Sequence, residues 1–325
     1  MDRGGSKGLA VATPGTFNAP QRRRFEEIGI KNKCLMAGWD HCYVTGILTH
    51  CNGSCNRPGR RSENVGFHAT RPIIEVAMQT IRALSLNIHK GFSSGNRKFT
   101  LPALREAVRT TGADLVFLQE VLGRHDRHER RVPGWPSQPQ MEYLADSVWP
   151  SFAYGRNAIY EAGHHGNAIL SKFDIDNPVN VDISSSRAER RGFLRGKIDT
   201  PAGMILCVCL HLSLRERDRS RQLRQVVDQL EKVVEADHPM IIAGDFNDWR
   251  RRADTEMARP LGLREAFRAA HGREASTFPS AFPILALDRI YFRGLRLVSA
   301  QTLRDPPWTN LSDHAGLTAE FEAAA

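Results

Sequence analysis

Met240-Ile241-Ile242-Ala243-Gly244-Asp245-Phe246-Asn247-Asp248-Trp249 is the stretch on which the fold turns. Its first half is a short apolar run that reads as a buried strand, and its second half carries a carboxylate, an amide and a further carboxylate. Gly244 permits close backbone approach. Residues 245 and 247 fall on the same side of an extended backbone, so Asp245 and Asn247 can converge on one ligand. A strand running into an Asx-type turn accounts for the same residues without any chemistry. The rest of the chain has to separate the two readings.

Immediately before this stretch, Arg217 to Ala236 places Leu223, Val226, Val227, Leu230, Val233 and Val234 at helical spacing. Gly203 to Leu212 reads as the strand before that helix. After the stretch, Leu287 to Phe292 and Ala315 to Phe321 read as strands. Toward the N-terminus, Ile81 to Asn87 alternates like a first strand, Leu101 to Thr110 has a helical pattern, and Asp114 to Val121 is a buried strand. A long polar loop is expected to about Gln140, then a helix over Met141 to Val148 and a strand over Gly166 to Leu170. Many strands with few, well-spaced helices predict an α/β fold in which two sheets pack together with helices outside.

Residues 1–77 lack sustained periodicity and scatter Gly, Pro, Asn and Arg without pattern. They read as a disordered extension, with Met78 as the expected natural start and 78–325 as the folded domain. The net charge of +9 divides accordingly. Residues 1–75 hold 11 Lys/Arg against 6 Asp/Glu, which leaves 34 against 30 for the remainder. The folded part is only mildly basic, so net charge gives weak support for a phosphate-bearing partner and cannot choose among nucleic acid, lipid and small molecule.

Of the six cysteines, Cys207 and Cys209 share one strand face and read as core residues, because adjacent same-face positions are poorly placed for a bridge. Cys34, Cys42, Cys51 and Cys55, with His41 and His50, could ligate zinc, but their spacings match no familiar knuckle. No run approaches the roughly 18 apolar residues of a membrane span, and no export signal is evident. The expectation is a cytoplasmic monomer with no stable membrane insertion.

Acidic or amide residues recur at strand ends: Asn87, Glu120, Asp245 with Asn247, Asp288, and Asp313 beside His314. A carboxylate closing an apolar strand such as Leu115 to Glu120 is costly to bury alone and needs an Arg or a cation as partner. Several together suggest a metal, and oxygen ligands with one His and no thiolate suit Mg²⁺ or Mn²⁺ better than zinc. Ser312-Asp313-His314 can be a plain turn. With Asp288 to hold its imidazole, His314 can instead face a phosphoryl oxygen or an attacking water. His211, closing the strand Leu206 to Leu210, is a further donor, or else a strand-end histidine satisfied by backbone.

Leu86-Asn87-Ile88-His89-Lys90-Gly91, Leu118-Gln119-Glu120-Val121, Gly166-Asn167-Ala168-Ile169-Leu170-Ser171, Gly244-Asp245-Phe246-Asn247, Leu287-Asp288-Arg289-Ile290 and Ser312-Asp313-His314 resemble, in order, the signature of the endonuclease/exonuclease/phosphatase superfamily with its DNase I-like fold. The resemblance covers about residues 80–322. It implies a four-layer α/β sandwich and a metal-dependent phosphoesterase using Mg²⁺ or Mn²⁺. By the same resemblance Glu120 is the principal metal ligand, with Asn87 and Asp313 near the same ion or its waters. Asp245 orients or deprotonates the attacking water, Asn247 helps hold the phosphate, and His314, oriented by Asp288, stabilises the developing charge. His211 corresponds to a strand-end donor to the phosphate or the leaving oxygen. These roles agree with the chemistry, in which a cation and fixed donors stabilise spreading charge while a carboxylate prepares the water.

His89-Lys90 departs from the DNA-repair relatives, which commonly carry another acidic residue two positions after the asparagine. The Asn-Ile-His-Lys-Gly form, together with Gly163-His164-His165-Gly166-Asn167, resembles a bacterial subgroup. His165 and Asn167 are candidate substrate contacts, with turn or core roles open for His165.

Arg124, Arg127, Arg130 and Arg131, Arg187, Arg190 and Arg191, and Arg250 to Arg252 can track a DNA or RNA backbone, although interspersed acids also fit a solvated face. Trp135, Tyr154 and Tyr160 are available for stacking. Nucleic acid is slightly favoured as substrate. The alternative is a phospholipid, acted on as sphingomyelinase-like members do, and Phe278 to Leu285 is the one apolar loop available for it, more simply read as packing under the Asp288 strand. A non-catalytic binding scaffold is the third reading, and intact motifs argue against it.

Overall fold

The computed structural model describes residues 80–186, 189–235 and 237–324. The expectations for residues 1–77 (the extension, the start at Met78 and the zinc cluster) lie outside the described residues, as does Arg187.

Twelve strands are present among the described residues. The first four are β1 (Ile81–Asn87), β2 (Leu115–His125), β3 (Ser151–Tyr160) and β4 (Gly163–Ser171). The next four are β5 (Ile175–Asp182), β6 (Gly192–Thr200), β7 (Gly203–His211) and β8 (Met240–Asp245). The last four are β9 (Arg264–Glu265), β10 (Asp288–Arg293), β11 (Leu295–Leu303) and β12 (Gly316–Ala323). They form two six-stranded mixed sheets, ordered β11-β12-β1-β2-β4-β3 and β5-β6-β7-β8-β10-β9.

Each sheet is built on the same unit. In the first, helix α1 (Leu101–Thr110) carries the chain from β1 to the parallel strand β2, and β12 flanks β1 antiparallel. In the second, a helix at Glu216–Leu230 carries it from β7 to the parallel β8, and β10 flanks β8 antiparallel. Such crossovers need a helix, and their apolar stripes supply the outer layers.

Alternation along each strand sorts the side chains between layers. Ile81, Ala83, Leu115 and Phe117 of the first sheet meet Cys207, Cys209, Ile241, Ala243 and Ile290 of the second in one core between the sheets. Leu84, Leu86, Val116 and Leu118 face α1. Leu206, Val208, Leu210, Met240 and Ile242 face Leu223, Val226, Val227 and Leu230 of the second crossover helix. Four layers result, as expected. Cys207 and Cys209 are free and fully buried, and burial pushes the Cys209 thiol up to about 12.

The strand alternation also aims the site. Positions 81, 83 and 85 of β1 lead to Asn87, positions 207 and 209 to His211, 241 and 243 to Asp245, and 290 and 292 back to Asp288. The termini of these strands therefore point into the gap between the sheets. The register places His211 opposite Asp245 and Asp245 opposite Asp288. The carboxyl ends of the parallel pairs share this edge, which is where open α/β sheets form clefts.

Several elements differ from the sequence reading. The polar loop after Val121 contains the end of β2 and a short helix, α2 (Asp126–Arg131). The helix expected over Met141 to Val148 is present as α3, which spans Gln140–Ala145 and so ends three residues earlier. The second crossover helix, α4, ends at Leu230 rather than Ala236. Strands β3, β5, β6, β9 and β11 were not expected. β5 is an edge strand with Pro178 inside it, and an edge tolerates the missing amide that a central strand would not.

Candidate active site

Glu120 lies inside β2, at an irregularity in the β2–β4 ladder between Leu118 and Val121. Strict alternation would send its side chain to the helix face with Val116 and Leu118. Its φ of 56° absorbs one residue as a bulge, so Val121 takes the helix-face place and the carboxylate turns toward the sheet edge. Lys90 supplies the expected partner: its Nζ lies 3.1 Å from Glu120 Oε2. The contact is not aligned as a hydrogen bond, and Oε2 is buried without a hydrogen-bond partner. Burial pushes the Glu120 pKa up, but its neighbours, His211 when protonated and Lys90, outweigh it and hold the carboxyl below the ordinary carboxylate range. Burial itself, with Arg191 adding to it, drives His211 well below the ordinary imidazole range, so His211 is neutral at pH 7. Near neutrality, Lys90 is therefore the cation that holds Glu120 ionised.

Lys90 is fixed by its backbone. His89 and Lys90 both have positive φ, and Gln140 clamps the turn by donating to the Lys90 carbonyl at 2.8 Å while accepting from the Leu122 amide at 2.9 Å. No local pattern marks this clamp, because Gln140 lies 50 residues from Lys90.

Asn87 sits between the two sheets. Its Nδ2 donates to Asp245 Oδ2 at 3.2 Å and more weakly to Glu120 Oε1 at 3.4 Å, while its Oδ1 accepts the His89 amide at 3.0 Å. It thus joins two carboxylates through a donor. Asp313 approaches from the segment before β12, where its Oδ1 is 3.8 Å from His89 Nδ1. The neighbouring Ser312 hydroxyl donates to the Asn87 carbonyl at 2.6 Å, which ties that segment to the end of β1.

At the β8–β10 end the contacts are tighter. His314 Nδ1 is 2.8 Å from Asp288 Oδ2, and its Nε2 is 3.8 Å from Asp245 Oδ2. His211 Nε2 is 3.4 Å from the same Asp245 oxygen. All four residues are buried. Burial works against the His314 charge, yet Asp288 and Asp245 raise its pKa above the ordinary imidazole range. Burial and then Asp288 push the Asp245 carboxyl up, with His314 opposing. Asp245, Asp288 and His314 also offer ligand atoms that all lie within 4.8 Å of one another, a grouping able to hold a metal ion.

Gly244 is required where it stands. Its φ is 152°, and a Cβ there would lie 2.0 Å from the Leu210 carbonyl oxygen, so a side chain would force β7 and β8 apart beside the site. Asp245 and Asn247 converge, but not through an extended backbone. Asn247 has φ 49°, its amide donates to Asp245 Oδ1 at 2.9 Å, and its Nδ2 donates to the Leu212 carbonyl at 3.0 Å. The Asx turn and the site are one arrangement.

The remaining candidates divide. His165 is half-buried beside Tyr160, with Nδ1 buried and unpartnered, and burial pushes it down to about 4. Asn167 is buried, and its amide donates to the Gly192 carbonyl at 2.9 Å and the Cys209 carbonyl at 3.4 Å. It bridges the sheets. Trp135 stacks on Phe99 and His128, and Tyr154 bonds His164 at 3.0 Å, so neither is a free platform. Phe278 packs on the His314 ring at 5.0 Å, a contact the sequence did not suggest.

Two packed six-stranded sheets with a cluster of carboxylates, amides and histidines at one shared edge define an α/β sandwich of the DNase I-like class. The chain belongs to the Endonuclease/Exonuclease/phosphatase family, whose pattern it matches over residues 84–314. It is 46% identical over 244 residues to YbhP of Escherichia coli (strain K12), covering 74% of this chain and 96% of that protein. Its fold resembles an endonuclease/exonuclease/phosphatase from Beutenbergia cavernae, with TM-score 0.60 at 20% identity, covering 76% of this chain and 72% of that one. It also resembles TDP2 from Caenorhabditis elegans, with TM-score 0.56 at 19% identity, covering 75% of each chain. No helix among the described residues is long and apolar enough to cross a membrane.

Proposed function

We propose that the protein hydrolyses a phosphodiester with the help of a divalent cation, Mg²⁺ or Mn²⁺, held at Glu120. The observation that carries this reading is the unpartnered, buried Glu120 Oε2, aimed at the site by a strained backbone and faced by the Lys90 ammonium at 3.1 Å. A hard cation fits an oxygen donor set of Glu120 and Asp313. Asn87, whose Oδ1 accepts the His89 amide and keeps a second lone pair for the ion or its water, also spaces Glu120 from Asp245 through Nδ2. When bound, the cation supplies Lewis-acid polarisation of a phosphoryl oxygen.

The protein's own groups perform the remaining steps. Asp245 receives the proton of the attacking water, a task for which burial raises its basicity above that of a free carboxylate. His314, protonated and oriented by Asp288, donates from Nε2 to the phosphoryl oxygen on which charge accumulates. Neutral His211 donates a second hydrogen bond, and the N–H of Asn247 Nδ2 not used by Leu212 provides a third. The Asp245–Asp288–His314 grouping is the competing cation site. The 2.8 Å Asp288–His314 bond disfavours it, because a metal there would displace the proton that orients the imidazole.

Nucleic acid remains the reading that family membership suggests, with the arginines of the rim tracking its backbone. A lipid phosphodiester is the second reading, supported by apolar side chains exposed at the site's edge. Cytoplasmic location and a monomeric state go with either. The test is hydrolysis of bis-p-nitrophenyl phosphate with added Mg²⁺ or Mn²⁺ and with chelator. The reading predicts cation-dependent release of nitrophenolate, absent in Asp245→Asn. Equal rates in wild type and Asp245→Asn would refute it.

A further inference from the structure

Leu214, Trp249, Phe282, Ile284 and Leu285 are 60%, 46%, 76%, 64% and 37% exposed. Their positions are set by the register of the site. Leu214 follows His211 by three residues, Trp249 follows Asp245 by four, and Ile284 and Leu285 precede Asp288 by four and three. His211, Asp245 and Asp288 stand opposite one another at one sheet edge, so the apolar side chains issue from that same edge.

Two arginines hold the set together. Buried Arg219 lies over the Trp249 ring at 4.6 Å, and its Nη1 donates to the carbonyls of Ser213 (3.2 Å) and Leu214. Arg289 links the other side, donating to the Ala286 carbonyl at 2.6 Å and the Asp248 carbonyl at 3.3 Å. Phe278, from the loop that carries Phe282 and Ile284, packs on His314. The expectation that Phe278 to Leu285 packs away under the Asp288 strand therefore holds for Phe278 and fails for Phe282 and Ile284.

Basic side chains flank this rim. Arg215, Arg217 and Arg221 are exposed, line one groove, and make no ion pair among the described residues. Arg217 and Arg221 stand four residues apart on α4, beginning three residues after Leu214, while Arg224 beyond them pairs with Glu256 and the same groove also holds Glu216 and Asp218. Apolar tips beside unpaired arginines match a surface that is anionic outside and hydrocarbon beneath.

Several features that would favour a polynucleotide are engaged within the protein, although Arg127, Arg130 and Arg131 of α2 are exposed and make no ion pair among the described residues. Arg124 pairs with Asp126, Arg190 with Asp182, Arg191 with Glu189, Arg251 with Glu274, and Arg250 and Arg252 with Glu216. Phe92, Phe99, His128 and Trp135 pack on one another.

We infer that this edge docks the protein on an anionic lipid bilayer, inserting Phe282 and Ile284 at the interface, and presents the site to phosphodiesters of the membrane surface. This rests on the phosphodiesterase reading above and names its substrate class. Docking of this kind is peripheral and needs no spanning helix.

The test uses the full chain and sedimentation with phosphatidylcholine vesicles, with and without added phosphatidylglycerol. Wild type should co-sediment with the anionic vesicles, and the double variant Phe282→Ser/Ile284→Ser should partition at least about tenfold less. Both positions are exposed, so the variant should melt like wild type and keep its rate on soluble bis-p-nitrophenyl phosphate. Trp249 fluorescence, isolated by a Trp249→Phe control, should be quenched by brominated lipid. Wild type that ignores anionic vesicles, or a double variant that binds them equally, overturns the inference. So does salt-sensitive binding and cleavage of single-stranded DNA without vesicle binding. Loss of hydrolysis of the soluble diester in wild type would instead refute the phosphodiesterase reading and leave the vesicle result to stand alone.

Discussion

The two sides of the site are built differently. Around Asp245, Asp288 and His314 the charged groups are buried, with a 2.8 Å bond orienting the imidazole and an Asx turn fixing the Asp245 carboxylate, while Asp288 Oδ1 has no hydrogen-bond partner. Around Glu120 and Asp313, the carboxylates are half-buried, one oxygen has no hydrogen-bond partner, and the nearest side chains are those of Lys90, at 3.1 Å from Glu120, and His89, at 3.8 Å from Asp313. A protein that buries a carboxylate ordinarily matches it. The contrast teaches that the Asp245 side is held by a short His–Asp bond and an Asx turn, preorganised for proton transfer and charge stabilisation, whereas the Glu120 carboxylate faces only mobile-ended side chains that a cation can displace.

The largest effect is expected on the Asp245 side. Asp245→Asn should lower kcat by about 10²–10⁴-fold, the range for loss of a positioned base, measured by steady-state hydrolysis of a soluble diester. His314→Ala should lower kcat by about 10²–10³-fold, comparable to removing one oxyanion donor, with Mn²⁺ affinity unchanged. If His314→Ala weakens Mn²⁺ binding as much as turnover, the division between the two sides breaks down.

A pH profile sharpens the same contrast. His314 is held protonated above the ordinary imidazole range by Asp288 and Asp245, against burial. Activity that needs the imidazolium is therefore present through neutral pH and lost only as pH rises past its elevated pKa. Asp288→Asn removes a negative partner, lowers that pKa, and should move the alkaline loss to lower pH. An alkaline limb that stays in place would show that His314 is not the group that titrates.

Smaller effects are expected where a flexible charge or a structural bond is removed. Lys90→Met should tighten Mn²⁺ binding severalfold, because the ammonium competes for Glu120 Oε2. Weaker binding would assign Lys90 to support of the cation instead. Asn167→Ala should leave KM within error and cost about 1–3 kcal/mol of stability, because two inter-sheet carbonyls lose their donor. A raised KM with unchanged melting would restore Asn167 as a substrate contact.

Much of this was legible in the sequence because strand alternation is strict. The apolar runs ending in Asn87, His211 and Asp245 state both the strand and the face on which the last side chain falls, and the architecture follows from their number and spacing. What was not legible depends on residues distant in the chain or on broken periodicity. The bulge at Glu120 gives no compositional signal. The Gln140 clamp on Lys90 is a pairing across 50 residues. β3, β5 and β6 carry glycines, asparagines and a proline that lower strand propensity, and sheet pairing overrides that preference. The exposure of Phe282 and Ile284 could not be separated from burial, since an apolar loop reads the same in either case.

Calorimetric titration of Mn²⁺ into wild type, Glu120→Gln and Asp288→Asn tests the division of the site most directly. The account predicts that Glu120→Gln weakens binding by more than the roughly 10–100-fold that loss of an outer-shell partner costs, while Asp288→Asn binds as wild type does. The reverse outcome, with binding lost in Asp288→Asn and kept in Glu120→Gln, would place the cation among Asp245, Asp288 and His314 and contradict the account.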